Sequence, residues 1–521
     1  MKAERLFRVL GLVDEDLIEE AASPAVRQRK FPLWKVLTAA ACLTLVCGFS
    51  LTWLVTGGFQ GMGSSAPGET SGSGIVTDNE PSSEEGTTFM SYAGPVFPLT
   101  LAEENSGLPA KRTTTWDFAP GTYQDGTPRQ WGAAVTDRYT VVNITESDQT
   151  VTALYPFAGS FRNLASQRPT VTVDGEEAEG PLYAGAYAGG FRDAGVDDGS
   201  TWNLQYPDSW MDYKALLDDG SYLNEALGDG LVLDTPVAVY EFTDFTAPAN
   251  YDAATQAIAF TIDQEKTTVL TYGFNGASWD EDTGWRQYSY FVPNGIRRDK
   301  DPKLLVVLGD DIKDYALDGY ENGGCEKEID GVSCTVTRLQ MTLDQVLDLL
   351  CRNYLETYAD WQYGMDTDEV AAVPDALFRR AVNELMVQYG PLAGDNTADR
   401  YDSGRLDDIV SEAMSMDRVL YLAVSVNIPA GGQVDITFTM WKEPSFDFGC
   451  SGSENVGLQG YDFVTQLGSN LDFTGQRAAL ANADNIQIQR QNFGFDLEKG
   501  VTEVTLNPEI AHYYLEIRPN E

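Results

Sequence analysis

Twenty consecutive residues, Val36 to Val55, carry no charge. As a helix rising about 1.5 Å per residue they would span about 30 Å, the hydrocarbon thickness of a bilayer. No other feature constrains this chain as strongly, because such a segment divides a polypeptide between two sides of a membrane. Arg27, Arg29, Lys30 and Lys35 stand just before it, and no basic residue follows until Lys111. Basic residues concentrate on the cytoplasmic flank of membrane helices. The sequence therefore predicts a single-pass cell-membrane protein with a cytoplasmic stub (residues 1–35), a transmembrane helix in the lipid bilayer (36–55) and a C-terminal ectodomain outside. The run is preceded by Asp14, Glu15, Asp16, Glu19 and Glu20. A secretory leader has a short basic region there, so the segment reads as an uncleaved anchor.

The charge balance is lopsided: 35 Lys and Arg against 79 Asp and Glu, a net charge of −44. The whole of the excess lies beyond the apolar run. A surface this acidic repels phosphate backbones, which excludes nucleic acid as a partner of the outer part. Residues 56–93 are dominated by Gly, Ser, Thr, Glu and Pro. They bury too little apolar surface to offset their ordering entropy and read as a flexible linker.

The remainder reads as α+β, mostly β: antiparallel β-sandwich modules, the second interrupted by helices. Three pairs of β-branched, aromatic-rich runs flank turn chemistry and read as hairpins. They are Tyr139–Thr145 with Thr150–Phe157, Ala257–Ile262 with Thr267–Tyr272, and Val419–Ile428 with Val434–Met440. Final strands are expected over Asn485–Arg490, Val501–Leu506 and His512–Arg518. Apolar residues recur at helical spacing from Leu343 to Leu355, from Leu377 to Met386 and from Leu406 to Ala413. Thr342 suits the N-cap of the first helix, and Pro374 and Gly390-Pro391 bracket the second. The expected division is a first sandwich over residues 94–243 and a second β-rich domain over 244–521, with a helical insertion at 341–415. Tyr155-Pro-Phe157-Ala-Gly159 echoes Tyr272-Gly-Phe274-Asn-Gly276, each after a Thr-rich strand.

Signals for catalysis are sparse. The single histidine, His512, sits in a strand-like run, Ala-His-Tyr-Tyr-Leu-Glu-Ile, and reads as a half-buried structural residue. No nucleophile elbow, phosphate loop, HExxH or CxxC is present, so no catalytic residue, metal site or cofactor is assigned. The chain is read as a non-enzyme. Asp280-Glu281-Asp282 beside Trp279 and Trp285 could serve a cation or a sugar, but reads first as a solvated hairpin tip. Cys325, Cys334, Cys351 and Cys450 lie in the outer part, where disulfides can form. Cys325–Cys334 around the turn signal at Asp330-Gly331 is the leading pairing, with Cys351–Cys450 as its corollary; four free thiols are the alternative.

The stub has a pattern of its own. Leu6, Phe7 and Leu10 recur among charges, and Leu17 and Ile18 follow a helix start at Asp14. About 30 residues cannot enclose a core, so these five side chains are candidates for docking on a partner. The run Leu10-Gly-Leu-Val-Asp-Glu-Asp-Leu-Ile-Glu-Glu-Ala-Ala, the basic stretch and Ala39-Ala-Ala-Cys-Leu-Thr-Leu-Val resemble the N-termini of anti-sigma-factor-like single-pass membrane proteins of Gram-positive Clostridia. The resemblance covers about the first 55 residues. It implies that the stub binds an extracytoplasmic-function sigma factor; the acidic ectodomain is then expected to act as a sensor or binding module for an extracellular ligand. A surface-anchored binding protein for a glycan or peptide, and an ectoenzyme acting on glycans, are the alternative readings.

Overall fold

A computed structural model describes residues 87–520, except 88, 105–107, 123–128, 130, 186–189, 194–200, 206–208, 250–253, 293–301, 362–372, 395–400 and 402. The stub, the apolar run and nearly all of the linker lie outside the described residues. No helix among the described residues is long and apolar enough to cross a membrane.

The first strands in the chain are β1 (Thr100–Leu101), β2 (Pro109–Asp117), β3 (Ala133–Val142), β4 (Gln149–Gly159), β5 (Thr170–Val173), β6 (Glu176–Ala178) and β7 (Leu182–Ala184), with the short helix α1 (Leu164–Gln167) after β4. The small hairpin β8 (Gly190–Asp193) and β9 (Thr201–Gln205) leads into helices α2 (Trp210–Leu217) and α3 (Ser221–Leu227). Then follow β10 (Pro236–Thr246), β11 (Thr255–Thr261), β12 (Thr267–Tyr272), β13 (Gly276–Asp280), β14 (Trp285–Phe291), β15 (Lys303–Gly309), β16 (Tyr315–Tyr320) and β17 (Ser333–Thr342). Helices α4 (Leu343–Trp361), α5 (Asp375–Gln388) and α6 (Leu406–Ser415) come next. The chain closes with β18 (Arg418–Ile428), β19 (Gln433–Lys442), β20 (Gln459–Val464), β21 (Asp472–Ala481), β22 (Ile486–Gln491), β23 (Glu503–Thr505) and β24 (His512–Pro519).

The two sandwiches are nested, not in tandem. β10 to β17 form the inner one, from sheets ordered β12-β15-β10-β17 and β13-β14-β11-β16. The outer one is built from both ends of the chain. Its sheets run β1-β4-β18-β7 and β23-β21-β2-β3-β19-β5-β6, with β20-β24-β22 alongside. The expected boundary at 243/244 falls inside β10, and the strands after residue 417 return to the first module. A linear reading assigns strands to their sequence neighbours; the pairing β3 with β19 joins residues some three hundred positions apart.

The three expected hairpins are corrected in the same way. β3 and β4 belong to different sheets, as do β11 and β12, and β18 and β19. Each pair is an arch that crosses from one layer to the other. The arches stack in twos. β3 pairs with β19 while β4 pairs with β18, and the loops between them interlock: Asn143 N–H donates to Gly432 O at 2.9 Å and Gly431 N–H to Thr145 O at 3.1 Å. The inner sandwich repeats the device, with β11 against β16, β12 against β15, and Asp310 N–H donating to Lys266 O at 3.1 Å. Tyr155 and Tyr272, which lead the two echoing sequences, fall in the second strand of the first arch in each module.

Side-chain alternation sets the layers. In β10 and β15, Val237, Val239, Leu304, Val306 and Leu308 face the helices, while Ala238, Tyr240, Phe242, Leu305 and Val307 face the partner sheet. That sheet is covered on both sides, so its strands read as near-continuous apolar runs. β18 is likewise buried on both faces: Leu420, Leu422 and Val424 enter the main core, and Val419, Tyr421 and Ala423 meet α2 and α3. Helices α4, α5 and α6 thus lie between the two sandwiches instead of inside the second. Their starts follow the sequence reading. The Thr342 hydroxyl accepts from Gln345 N–H and the Gln345 amide accepts from Thr342 N–H, a reciprocal cap. α5 begins directly after Pro374.

Candidate functional site

A crevice of the outer module combines enclosure with charged, amide and aromatic lining. It is a cavity of about 90 Å³ between the segment leading into β1 and the junction of β4, α1, β18 and β19. Ser91, Tyr92 and Ala93 form one wall. Asn163 directly precedes α1 and Gln167 ends it, and Asp417 stands one residue before β18. Trp441 and Lys442 end β19, Glu443 follows directly, and Phe446 closes the rim. Arg129 lies 5.0 Å above the Trp441 ring, and Trp131 packs against Phe446 at 5.7 Å between ring centres. The volume suits one small group or a few waters.

Lys442 is buried because of strand parity. Val434, Ile436, Phe438, Met440 and Lys442 share the inward face of β19. Its ammonium donates to the carbonyl oxygen of Ala93. Burial pushes the Lys442 pKa down to about 8, against the opposing pull of Asp462, Asp417 and Glu443. Asp417 is exposed to solvent yet surrounded by protein, as a group standing in a concavity must be. Desolvation there, reinforced by Glu443, pushes its carboxyl up to about 6. Burial beside Asp462 also raises the Tyr92 hydroxyl well above its ordinary value. One carboxyl, one ammonium and one phenol with displaced titration in one crevice mark a functional-site candidate on physical grounds.

Behind the crevice, Asp462 pairs with the lone histidine: Asp462 Oδ1 lies 2.5 Å from His512 Nε2. His512 is fully buried, not half-buried as expected, and stacks on Trp210 at 4.8 Å between ring centres. It therefore serves the packing beneath the site. A second buried ion pair, Arg112 with Asp137 at 2.9 Å, lies deeper. Asp137 also accepts from Thr114 Oγ1 and Tyr139 Oη, both at 2.6 Å, while Arg112 donates to the carbonyls of Phe97 and Val464 at 2.8 Å. Every partner is internal, so this network is structural.

The sequence candidates fall elsewhere. Leu6, Phe7, Leu10, Leu17 and Ile18 lie outside the described residues. Cys325, Cys334, Cys351 and Cys450 stand as free thiols in the structure, the alternative to the expected pairings. Cys325 sits beside Ser289 and Cys334 beside Tyr290, and successive residues of a strand face opposite sides. Cys351 is buried within α4 and Cys450 is exposed. Asp280, Glu281 and Asp282 do occupy a hairpin tip, between β13 and β14, with Trp279 exposed; the Asp280 carboxylate accepts from Thr283 N–H at 3.1 Å. No group of metal-ligating side chains is present among the described residues. No protein-family model matches the chain, and no curated protein matches its sequence.

Proposed function

We propose that residues 87–520 are the binding module of a membrane-anchored receptor and that its ligand is small and carries a positive charge. The observation that carries this reading is the lining of the crevice. Asp417 and Glu443 outnumber the Lys442 ammonium, and Tyr92, Trp441 and Phe446 add ring faces that attract cations. At about 90 Å³ the crevice holds one terminal group, so a longer glycan or peptide would enter by its end. Titration of the purified chain with ethylammonium and choline, followed by calorimetry and Trp fluorescence, tests this. Asp417→Asn should weaken binding about tenfold, the loss of one charged partner at about 1.4 kcal/mol. No binding of either cation at millimolar concentration would sink the reading.

The cytoplasmic end of the same receptor is the stub, which we read as a dock for an extracytoplasmic-function sigma factor. Its support is the apolar set Leu6, Phe7, Leu10, Leu17 and Ile18 and the N-terminal resemblance. Changing Leu6, Phe7 and Leu10 to Ser should abolish capture of a sigma factor by the full chain; equal capture would refute it.

A further inference from the structure

One wall of the crevice is also the point where the outer domain meets its tether. Residues 89–93 run beside the end of β19, the start of β20 and the segment 445–447 between them, and their hold is mostly polar. Met90 N–H donates to Asp447 Oδ1 at 2.8 Å, and Ala93 N–H to Ser445 Oγ at 2.9 Å. Ser91 and Phe446 exchange both backbone hydrogen bonds, at 3.0 and 2.9 Å. Lys442 reaches across to the Ala93 carbonyl. Just upstream, Thr87 N–H donates to Glu516 Oε1 at 2.8 Å, a carboxylate held by Arg490 at 2.5 Å.

This arrangement explains a group of buried polar side chains that the core has no use for. Ser445, Asp447 and Glu516 are each no more than 5% exposed, and each accepts a backbone N–H of this segment. Apolar anchoring is thin. Phe89 is buried against Gly460, where a Cβ would come within 2.3 Å of its ring, whereas Met90 is 58% exposed. Beyond Gly94 the attachment changes character: Val96, Phe97, Leu99 and Leu101 are all essentially inaccessible. Gly94 itself has φ of +70° and lies where a Cβ would meet Ala158 Cβ at 2.7 Å, so the chain turns there on a residue only glycine can supply. A segment held by side-chain hydrogen bonds and one ring opens at lower free energy than strands rooted in the core.

We infer that residues 89–93 are a mooring strap whose attachment is controlled by the occupant of the crevice. The strap supplies Ser91, Tyr92 and Ala93, so the crevice exists only while the strap is docked. An occupant that touches both walls therefore stabilises the docked strap by mass action, and a docked strap raises affinity by the same factor. Lys442 joins the two, since its ammonium holds Ala93 while its side chain lines the crevice, where Asp417 and Glu443 favour its charged form against burial. Occupancy is thus read out at the tether end of the domain. The regulatory step rests on the binding reading above.

Hydrogen exchange by mass spectrometry on the full chain in nanodiscs tests it, with ethylammonium as the probe. Asp447 does not line the crevice. Asp447→Ala should nonetheless weaken ethylammonium binding and raise exchange of amides 90–93 at least about tenfold, leaving amides 149–159 and 418–428 unchanged as a control for folding. Ethylammonium should slow exchange of amides 90–93 in the unaltered chain. A freed strap with unaltered binding, or strap amides that exchange only together with residues 149–159, would overturn the inference. Should ethylammonium not bind, the binding reading fails, and Asp417→Asn decides the coupling without a ligand. Faster exchange at 90–93 supports it, because a weakened Lys442 ammonium loosens Ala93; unchanged exchange overturns it.

Discussion

Arg112 and Asp137 show what a single position contributes. Both are wholly buried, and each has its remaining hydrogen-bonding capacity taken up by Thr114, Tyr139 and two main-chain carbonyls. Removing one partner leaves the other charged in a dry interior. Arg112→Met should cost about 3–5 kcal/mol, measured by denaturant unfolding. Lys442 yields a pH prediction. Its pKa falls from the ordinary 10.5 to about 8 on folding, so between those values the unfolded chain holds a proton that the folded chain has released. Stability therefore rises with pH across that window. Lys442→Met removes this dependence, so the stability of the unaltered chain relative to the variant should rise from pH 8 towards pH 10.5 in thermal unfolding; a constant difference would contradict the assignment. These residues were legible in principle. Arg112 shares the inward face of β2 with Ala110, Thr114 and Trp116, Asp137 that of β3 with Val135 and Tyr139, and Lys442 that of β19. A charge at the buried parity of a strand is the signal. Asp417 carries none, because it precedes its strand and gains its surroundings only when β4, α1 and β19 come together.

Among the elements, helices were more legible than strand partners. A helix closes its hydrogen bonds within itself, so Thr342, Pro374 and the apolar stripes locate it from local sequence alone. A strand's alternation states which face is buried and leaves open whether the next strand lies beside it or across the core. None of the three turns, Glu-Ser-Asp, Asp-Gln-Glu-Lys and Pro-Ala-Gly-Gly, is the two-residue Asn-Gly type that forces a hairpin. All three became arches. Asn143 fastens the outer pair, since its amide donates to Ser147 O at 2.8 Å and Ile428 O at 3.0 Å and accepts from Thr145 N–H at 2.9 Å. Asn143→Ala should cost about 1–3 kcal/mol for carbonyls left without donors, and Ile144→Ala, at an exposed position, should cost far less.

For the whole molecule, nesting decides where the protein can be cut. The composition of residues 56–93 suggests a passive tether ending at 93, yet the structure uses residues from Thr87 onward. A fragment that begins at Gly94 forfeits Phe89 and the partners of Ser445, Asp447 and Glu516. It should melt measurably lower than a fragment beginning at Glu80, and equal melting temperatures would show that the strap adds nothing to stability. The inner sandwich is built from β10 to β17 alone, so hydrogen exchange should show these strands as a cooperative unit distinct from the outer module.

The parallel pairing of β2 with β21 also sets a schedule for synthesis. At roughly 5–20 residues per second, the partner of Thr113 is made on the order of 20–70 s after Thr113 itself. During that interval the inner sandwich can complete itself, whereas β2, β3 and β4 wait with unpaired edges and apolar faces uncovered. A newborn chain of this kind needs a holding factor, or a rapid passage to its destination, until the last sixth of its sequence arrives.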